Sequence, residues 1–142
     1  MLKDSDGVQD YGLFILRAGF GLLFIVHGWP KIVGGPELWT GLGGAMGSIG
    51  IHFLPEFWGF MAALSEFGGG VLLIAGMFTR TASLLMLITM SVASVNHLAT
   101  GDGVAGASHA LKTGIVFLYI TITGPGKLSA DRFWRNRMKK GK

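Results

Sequence analysis

Apolar residues along this chain are concentrated in four stretches, each long enough to cross a bilayer as a helix. A hydrocarbon core about 30 Å thick requires about 20 mostly apolar residues in a helix. The four stretches are residues 12–33, 57–78, 81–98 and 104–123. The glycines within them would weaken a soluble helix, but membrane helices tolerate glycine and use it for close contacts. The pattern predicts an all-α, four-transmembrane-helix bundle that forms a single domain over residues 1–142.

The composition supports a membrane protein and excludes several classes of site. Only 14% of the residues are charged, whereas about one quarter are charged in a typical soluble domain. The chain has no Cys, so disulfides, thiol nucleophiles and Cys-ligated metal centres are excluded. Seven of the 12 Lys and Arg residues fall in the last sixteen positions. The basic charge therefore belongs to one tail, and we expect membrane lipids rather than nucleic acid as its partners.

The charge distribution also predicts the orientation in a bacterial cytoplasmic membrane. The positive-inside rule places the basic tail, residues 125–142, in the cytoplasm. Four spans then place the N-terminus on the same side. Residues 34–56 are expected outside, where Pro36 begins a short interfacial helix or the segment re-enters the membrane. Both alternatives fit the sequence.

Polar residues within the spans are few, and they are the candidates for function. Ionisable groups in hydrocarbon are costly, so they usually face the bundle interior and are paired. Arg17 lies deep in the first span, and Glu66 is the one acidic residue within a predicted span. Most of the others fall in the outer half of the bundle: His27, Lys31, Asn96, His97, His109 and Lys112. We expect Glu66 to pair with Arg17, or with Lys31 and His27. One interpretation of such a pair is purely structural, because a buried ion pair can fix the register of two helices without taking part in any chemistry.

The histidines permit more than one interpretation. Each can simply bond a backbone carbonyl or a neighbouring helix. Imidazole also titrates near neutral pH, so a pocket of imidazole and ammonium groups suits a lipid-soluble quinone and its protons. His97 and His109 are the candidate axial ligands of a b-type haem, an interpretation that rests on their presence alone.

Several short motifs occur in a recognisable order along almost the whole chain. They are Arg17; His27-Gly28-Trp29-Pro30-Lys31; Glu66-Phe67-Gly68-Gly69 followed by Gly76 and Arg80; Met90 and His97; and the ending Gly124-Pro125-Gly126-Lys127-Leu128-Ser129-Ala130-Asp131. Together they resemble the DoxX family of small four-helix bacterial membrane proteins. The resemblance implies a link to quinone-dependent redox chemistry, since the family takes its name from a subunit associated with archaeal terminal oxidase and thiosulfate:quinone oxidoreductase. It also implies partner complexes with soluble redox enzymes. Relatives with the same fold act in cargo transport or receptor assembly, so the resemblance does not establish catalysis.

Our leading prediction is an oxidoreductase component that acts on or binds a membrane quinone together with a redox partner. Glu66 and His97 are expected to handle protons. The predicted quinone-binding residues are Arg17, His27, Lys31, Asn96, His109 and Lys112. No metal or covalent cofactor is expected, so electrons would come from a soluble or membrane-bound partner. A non-catalytic scaffold for lipid or proteins is the alternative, a small-solute or proton-coupled carrier is the third, and a homo-oligomer stays open.

Overall fold

The computed structural model describes residues 5–140. Within this range the chain forms six α-helices and one 3₁₀ helix. They are α1 (Ser5–Val33), α2 (Gly35–Gly43), the 3₁₀ helix (Gly44–Ile49), α3 (Pro55–Ala75), α4 (Thr79–Ala99), α5 (Gly103–Thr123) and α6 (Ala130–Lys140). The predicted N-terminus and the last two residues of the basic tail lie outside the described residues. Four helices, α1, α3, α4 and α5, are long and apolar enough to cross a membrane, which confirms the predicted all-α, four-span architecture.

The second span ends earlier than the hydropathy pattern indicated. Residue 78 was its predicted end, but α3 ends at Ala75. Gly76 adopts a left-handed conformation with φ of 67°, and the amide of Met77 donates to the carbonyl of Leu72 at 3.0 Å. Glycine takes this conformation without a Cβ penalty and is the usual residue just beyond a helix end. Residues 76–78 therefore form the connection to α4 although they are mostly apolar.

Glycine determines which helices approach most closely. Helix α1 lies directly against α3 at two of its glycines. A Cβ added to Gly21 would lie only 2.6 Å from the carbonyl oxygen of Gly70, and a Cβ added to Gly28 would lie equally close to the backbone of α3, so only glycine permits this approach. Helix α1 meets α5 through large side chains instead. The rings of Phe24 and Phe117 pack edge to face with centroids 4.9 Å apart. Helices α4 and α5 also pack along their length, so the four helices enclose a shared core.

The segment between the first two spans is helical and packs alongside α3. The contact of Gly28 with Phe67 sets the register, so α1 ends level with about residue 62, roughly 10 Å short of the start of α3 at 1.5 Å per residue. Helix α2 fills this space, and the backbone of Trp39 lies so close to Gly59 that no Cβ fits there. We call this end of the bundle the α2 end and the opposite end, which carries α6, the α6 end.

Candidate functional site

Helices α3 and α4 form the two sides of a cavity of about 1110 Å³, which is open to the outside of the bundle where Leu64, Leu85 and Ile88 line it and are exposed. The α2 segment and the 3₁₀ helix line its wall at the α2 end. Its surface is mainly apolar, and its polar side chains include Lys31, Ser65, Glu66, Thr89, Asn96 and His97. Pockets of this size that combine an apolar wall with a few polar groups are typical of small-molecule sites. The cavity therefore has the form expected for a lipid-soluble ligand.

An ion pair between Lys31 and Glu66 lies in the wall of the cavity. The Lys31 amine lies 2.7 Å from Oε1 and 2.6 Å from Oε2 of Glu66. The Glu66 side chain is 5% exposed and that of Lys31 is 28% exposed. The Trp39 indole donates a hydrogen bond of 2.7 Å to the Lys31 carbonyl and so fixes the end of α1. Of the partners that the sequence offered for Glu66, the structure selects Lys31.

The pair lies halfway along the spans. Ser65, the neighbour of Glu66, is the middle residue of α3, and Thr89 is the middle residue of α4. The Thr89 hydroxyl donates to the Ser65 hydroxyl at 3.2 Å, so the two midpoints lie at the same level. Glu66 therefore lies about two to three turns of helix from either end of the span.

A second polar pair, His97 and Asp102, lies at the α2 end of the cavity. Nδ1 of His97 is 2.7 Å from Oδ2 of Asp102, and the Thr100 hydroxyl donates to the same oxygen at 3.3 Å. The hydrogen bond from His97, assisted by that from Thr100, holds the pKa of Asp102 below its ordinary value. When Nδ1 donates to this carboxylate, Nε2 is left to accept or release a proton. Sequence reasoning missed Asp102 because it lies between spans, although its position five residues after His97 across a Gly-containing turn was a usable signal.

Asn96 helps to hold the 3₁₀ helix in place as part of the cavity wall. Its side-chain oxygen accepts a hydrogen bond of 2.8 Å from the hydroxyl of Ser48 in the 3₁₀ helix. Ser48 was not among the predicted residues. This contact joins the 3₁₀ helix to the end of α4, so Asn96 positions the wall of the cavity while it also lines it.

Arg17, by contrast, lies away from the cavity and pairs with backbone. Its side chain is buried at 1% exposure, Nη1 donates to the carbonyl of Leu73 at 3.0 Å, and Nη2 donates to that of Leu128 at 2.6 Å. The last carbonyls of a helix lack intrahelical donors; that of Leu73 accepts from the Gly76 amide at 3.3 Å, and Arg17 adds a second donor at this end of α3. The suggested pairing of Arg17 with Glu66 is wrong, since these bonds hold the guanidinium at the α6 end.

The remaining three predicted residues share a different face of the bundle. His27 of α1 and His109 of α5 stack their rings with centroids 5.8 Å apart and planes 18° apart. Lys112 lies one turn further along α5, and all three residues are exposed. His97 and His109 therefore belong to different regions, which does not suit a shared haem. Among the side chains that the structure describes, those of residues 7–139, no three from His, Cys, Asp or Glu lie together as a metal-binding group.

Comparison with known proteins gives consistent matches over most of the chain. The family model described as DoxX matches residues 12–98, the range that holds the Lys31–Glu66 pair and His97. Inner membrane protein YqjF of Escherichia coli (strain K12) is 34% identical over 128 residues, which cover 88% of this chain and 93% of that protein. Inner membrane protein YphA of the same organism is 31% identical over 84% of this chain and 88% of its own. "Putative oxidoreductase CatD" of Bacillus subtilis (strain 168) is 29% identical over 93% of each chain. No solved structure matches the chain.

Proposed function

The chain belongs to the DoxX family, and we propose that it binds a membrane quinone in the α3–α4 cavity as the membrane component of an oxidoreductase. The observation that carries this proposal is an apolar cavity of about 1110 Å³ that contains the Lys31–Glu66 ion pair, level with the midpoints of the membrane-spanning helices α3 and α4. The name of CatD, one of its relatives, points to the same reaction class. The protein itself is a multi-pass membrane protein, like the inner membrane proteins that it resembles.

The two polar pairs are too far apart to touch one quinone ring together. His97 follows Thr89 by eight residues, which is about 12 Å along α4, whereas the two oxygens of a quinone are separated by the width of a single ring. We therefore assign the head group to the Lys31–Glu66 pair. The Lys31 ammonium donates to a quinone oxygen, and Glu66 holds that ammonium in place.

His97 and Asp102 serve as the route for protons at the α2 end of the cavity. Reduction of a quinone takes two electrons and two protons, so a buried head group needs a group that exchanges protons with water. His97 is half-buried and lines the cavity, while Asp102 is exposed. The Asp102 carboxylate orients the imidazole through its 2.7 Å contact with Nδ1. The electrons come from a separate redox partner.

We also propose that the α6 end faces the cytoplasm, with both termini on that side. Helix α6 carries a dense set of exposed basic side chains: Arg132, Arg135, Arg137 and Lys139. Basic segments next to membrane spans are retained on the cytoplasmic side. The α2 end and the His97–Asp102 pair then face the opposite side of the membrane.

Extraction of bound lipids tests the proposed site directly. The wild type, E66Q and the control variant E56Q are purified in mild detergent, and solvent extracts are analysed by mass spectrometry. Glu56 is an exposed acid in the first turn of α3, so E56Q removes a carboxylate without altering the cavity. We expect near-stoichiometric quinone in the wild type and in E56Q, and about tenfold or greater depletion in folded E66Q, because the ammonium loses the carboxylate that positions it.

A titration of added quinone keeps the test informative if native quinone is lost during purification. Trp58 lines the cavity, and a bound quinone should quench its fluorescence. Phospholipid alone in every extract, together with no saturable quenching, would overturn the proposal and favour the scaffold interpretation. Equal quinone content and equal quenching in the wild type and E66Q would show that the head group binds elsewhere.

A further inference from the structure

The face between α1 and α5 carries basic groups without counter-charge. His27, His109 and Lys112 are exposed there, and the two imidazoles lie ring against ring. Among residues 7–139, whose side chains the structure describes, no carboxylate lies within ion-pair distance of any of the three. The neighbouring surface is apolar, with Leu23 57% exposed and Ile115 68% exposed.

The depth of Lys112 makes this face unusual. Lys112 is the tenth of the 21 residues of α5, so its backbone lies about 14 Å from the start of that helix. Helical side chains lean towards the N-terminus, which brings the amine to about the level of His109. The amine still lies several ångströms within the span. Lys31 reaches a similar depth on the cavity side, where the Glu66 carboxylate neutralises its charge. Lys112 would instead face lipid without a partner, and an unpaired cation in the hydrocarbon region is costly.

A second copy of this chain is poorly suited to cover the face. The acids within the four candidate spans, residues 7–33, 55–75, 79–99 and 103–123, are Asp10, which pairs with Lys127, Glu56 in the first turn of α3, and Glu66, which pairs with Lys31. None of these offers a free carboxylate at the depth of Lys112. Two such faces placed together would also bring like charges against each other, which is unfavourable.

A phospholipid is no better matched to this position. Its phosphate lies at the membrane surface, whereas the Lys112 amine, at about the level of His109, still lies roughly 9 Å along α5 from the nearer helix end. A carboxylate on a membrane helix can reach the required depth. The two-helix face also presents apolar side chains beside the basic cluster, which suit helix packing in lipid.

We propose that the α1–α5 face docks a transmembrane helix of a different protein, one that carries an Asp or Glu near the middle of its span. The carboxylate meets Lys112 and His109, and the flanking apolar residues pack against Leu23 and Ile115. Polar pairs of this kind hold membrane helices together and set their register. The docking surface lies away from the α3–α4 cavity, so the inference does not depend on what that cavity binds.

Designed peptides provide a defined probe for this interaction. Two Leu- and Ala-rich helices of about 20 residues differ only at their central residue, which is Glu in one and Gln in the other. The chain contains no Cys, so a donor dye is attached to a single Cys at the exposed position of Lys139. Energy transfer to acceptor-labelled peptide is measured in neutral phosphatidylcholine vesicles for the wild type, K112M and K112R.

We expect the Glu peptide to associate with the wild type about tenfold more tightly than the Gln peptide. K112M should remove this preference and K112R should retain it. Methionine at an exposed position facing lipid should not disturb folding, which size-exclusion chromatography verifies. Equal association of the two peptides, or an unchanged preference in K112M, would overturn the proposal. Self-association that depends on Lys112, or displacement of the Glu peptide by anionic lipid, would overturn it as well.

Discussion

Charged residues at the α6 end and in the α3–α4 cavity have different kinds of partner. At the α6 end most of them bond to backbone, and the ion pair between Lys127 and Asp10 is an exception. Arg17 donates to the carbonyls of Leu73 and Leu128, and the Asp131 carboxylate accepts the amides of Phe78 and Thr79 at 2.9 and 3.0 Å. In the cavity the charged groups bond to other side chains, as Lys31 does to Glu66. The bonds at the α6 end hold the ends of the helices together, whereas the Lys31–Glu66 pair lines a cavity that a ligand can enter.

This difference separates the charges that maintain the fold from those available to a ligand. Helix ends have unpaired amides and carbonyls that need partners, and Asp131 supplies them at the start of α4 as a capping residue does. The Gly-Pro-Gly-Lys connection is held in the same region, because the Lys127 amide and amine both bond to Asp10. The C-terminal motif, residues 124–131, therefore has a structural role, since it ties the chain after α5 to α1 and α4. The sequence alone gave no reason to distinguish it from the motifs that contain the candidate site residues.

Replacing Arg17 by Met should produce the largest loss of stability. The side chain is buried and makes two charge-assisted hydrogen bonds to carbonyls, so we expect a loss of about 3 to 5 kcal/mol in the free energy of unfolding. R17K should fall between the wild type and R17M, because one ammonium cannot reproduce the planar fork of guanidinium. Unfolding in detergent, followed by tryptophan fluorescence, measures the difference. A variant R17M that unfolds like the wild type but no longer binds quinone would assign Arg17 to the ligand site instead.

Changes to the Lys31–Glu66 pair should separate stability from ligand binding. K31M leaves a buried carboxylate without its partner, and we expect a loss of about 2 to 3 kcal/mol, limited by the partial exposure of Lys31. The double variant K31M/E66M removes both charges and should recover most of that stability, because an apolar pair of similar volume avoids the desolvation cost. It should still fail to bind quinone. A double-mutant cycle gives the coupling energy; additive losses would show that the two residues do not act as a pair.

The sequence predicted the four spans because their apolar length leaves few alternatives in a chain of this size. It could not identify the partner of Glu66, because that depends on how far α1 slides along α3. Arg17 and Lys31 share a stripe on α1 but lie about 21 Å apart along it, so only one of them can meet Glu66. The order of the helices around the bundle was equally hidden, which is why His109 and Lys112 were grouped with residues that lie on another face.

The smallest predicted effect concerns Asp102 and the pH dependence of stability. The hydrogen bond from His97 lowers the pKa of Asp102 in the folded protein, relative to about 3.9 for an unfolded chain. The ionised carboxylate therefore stabilises the fold at all pH values above 3.9, and this contribution disappears as the pH falls through the lower folded value.

D102N retains an oxygen for His97 but cannot titrate. Unfolding midpoints measured from pH 6 to pH 3 should show the wild type slightly more stable at the upper end, with the two curves converging at the lower end. Parallel curves would mean that the His97–Asp102 contact does not persist in solution, and the proposed route for protons would then lack its orienting carboxylate.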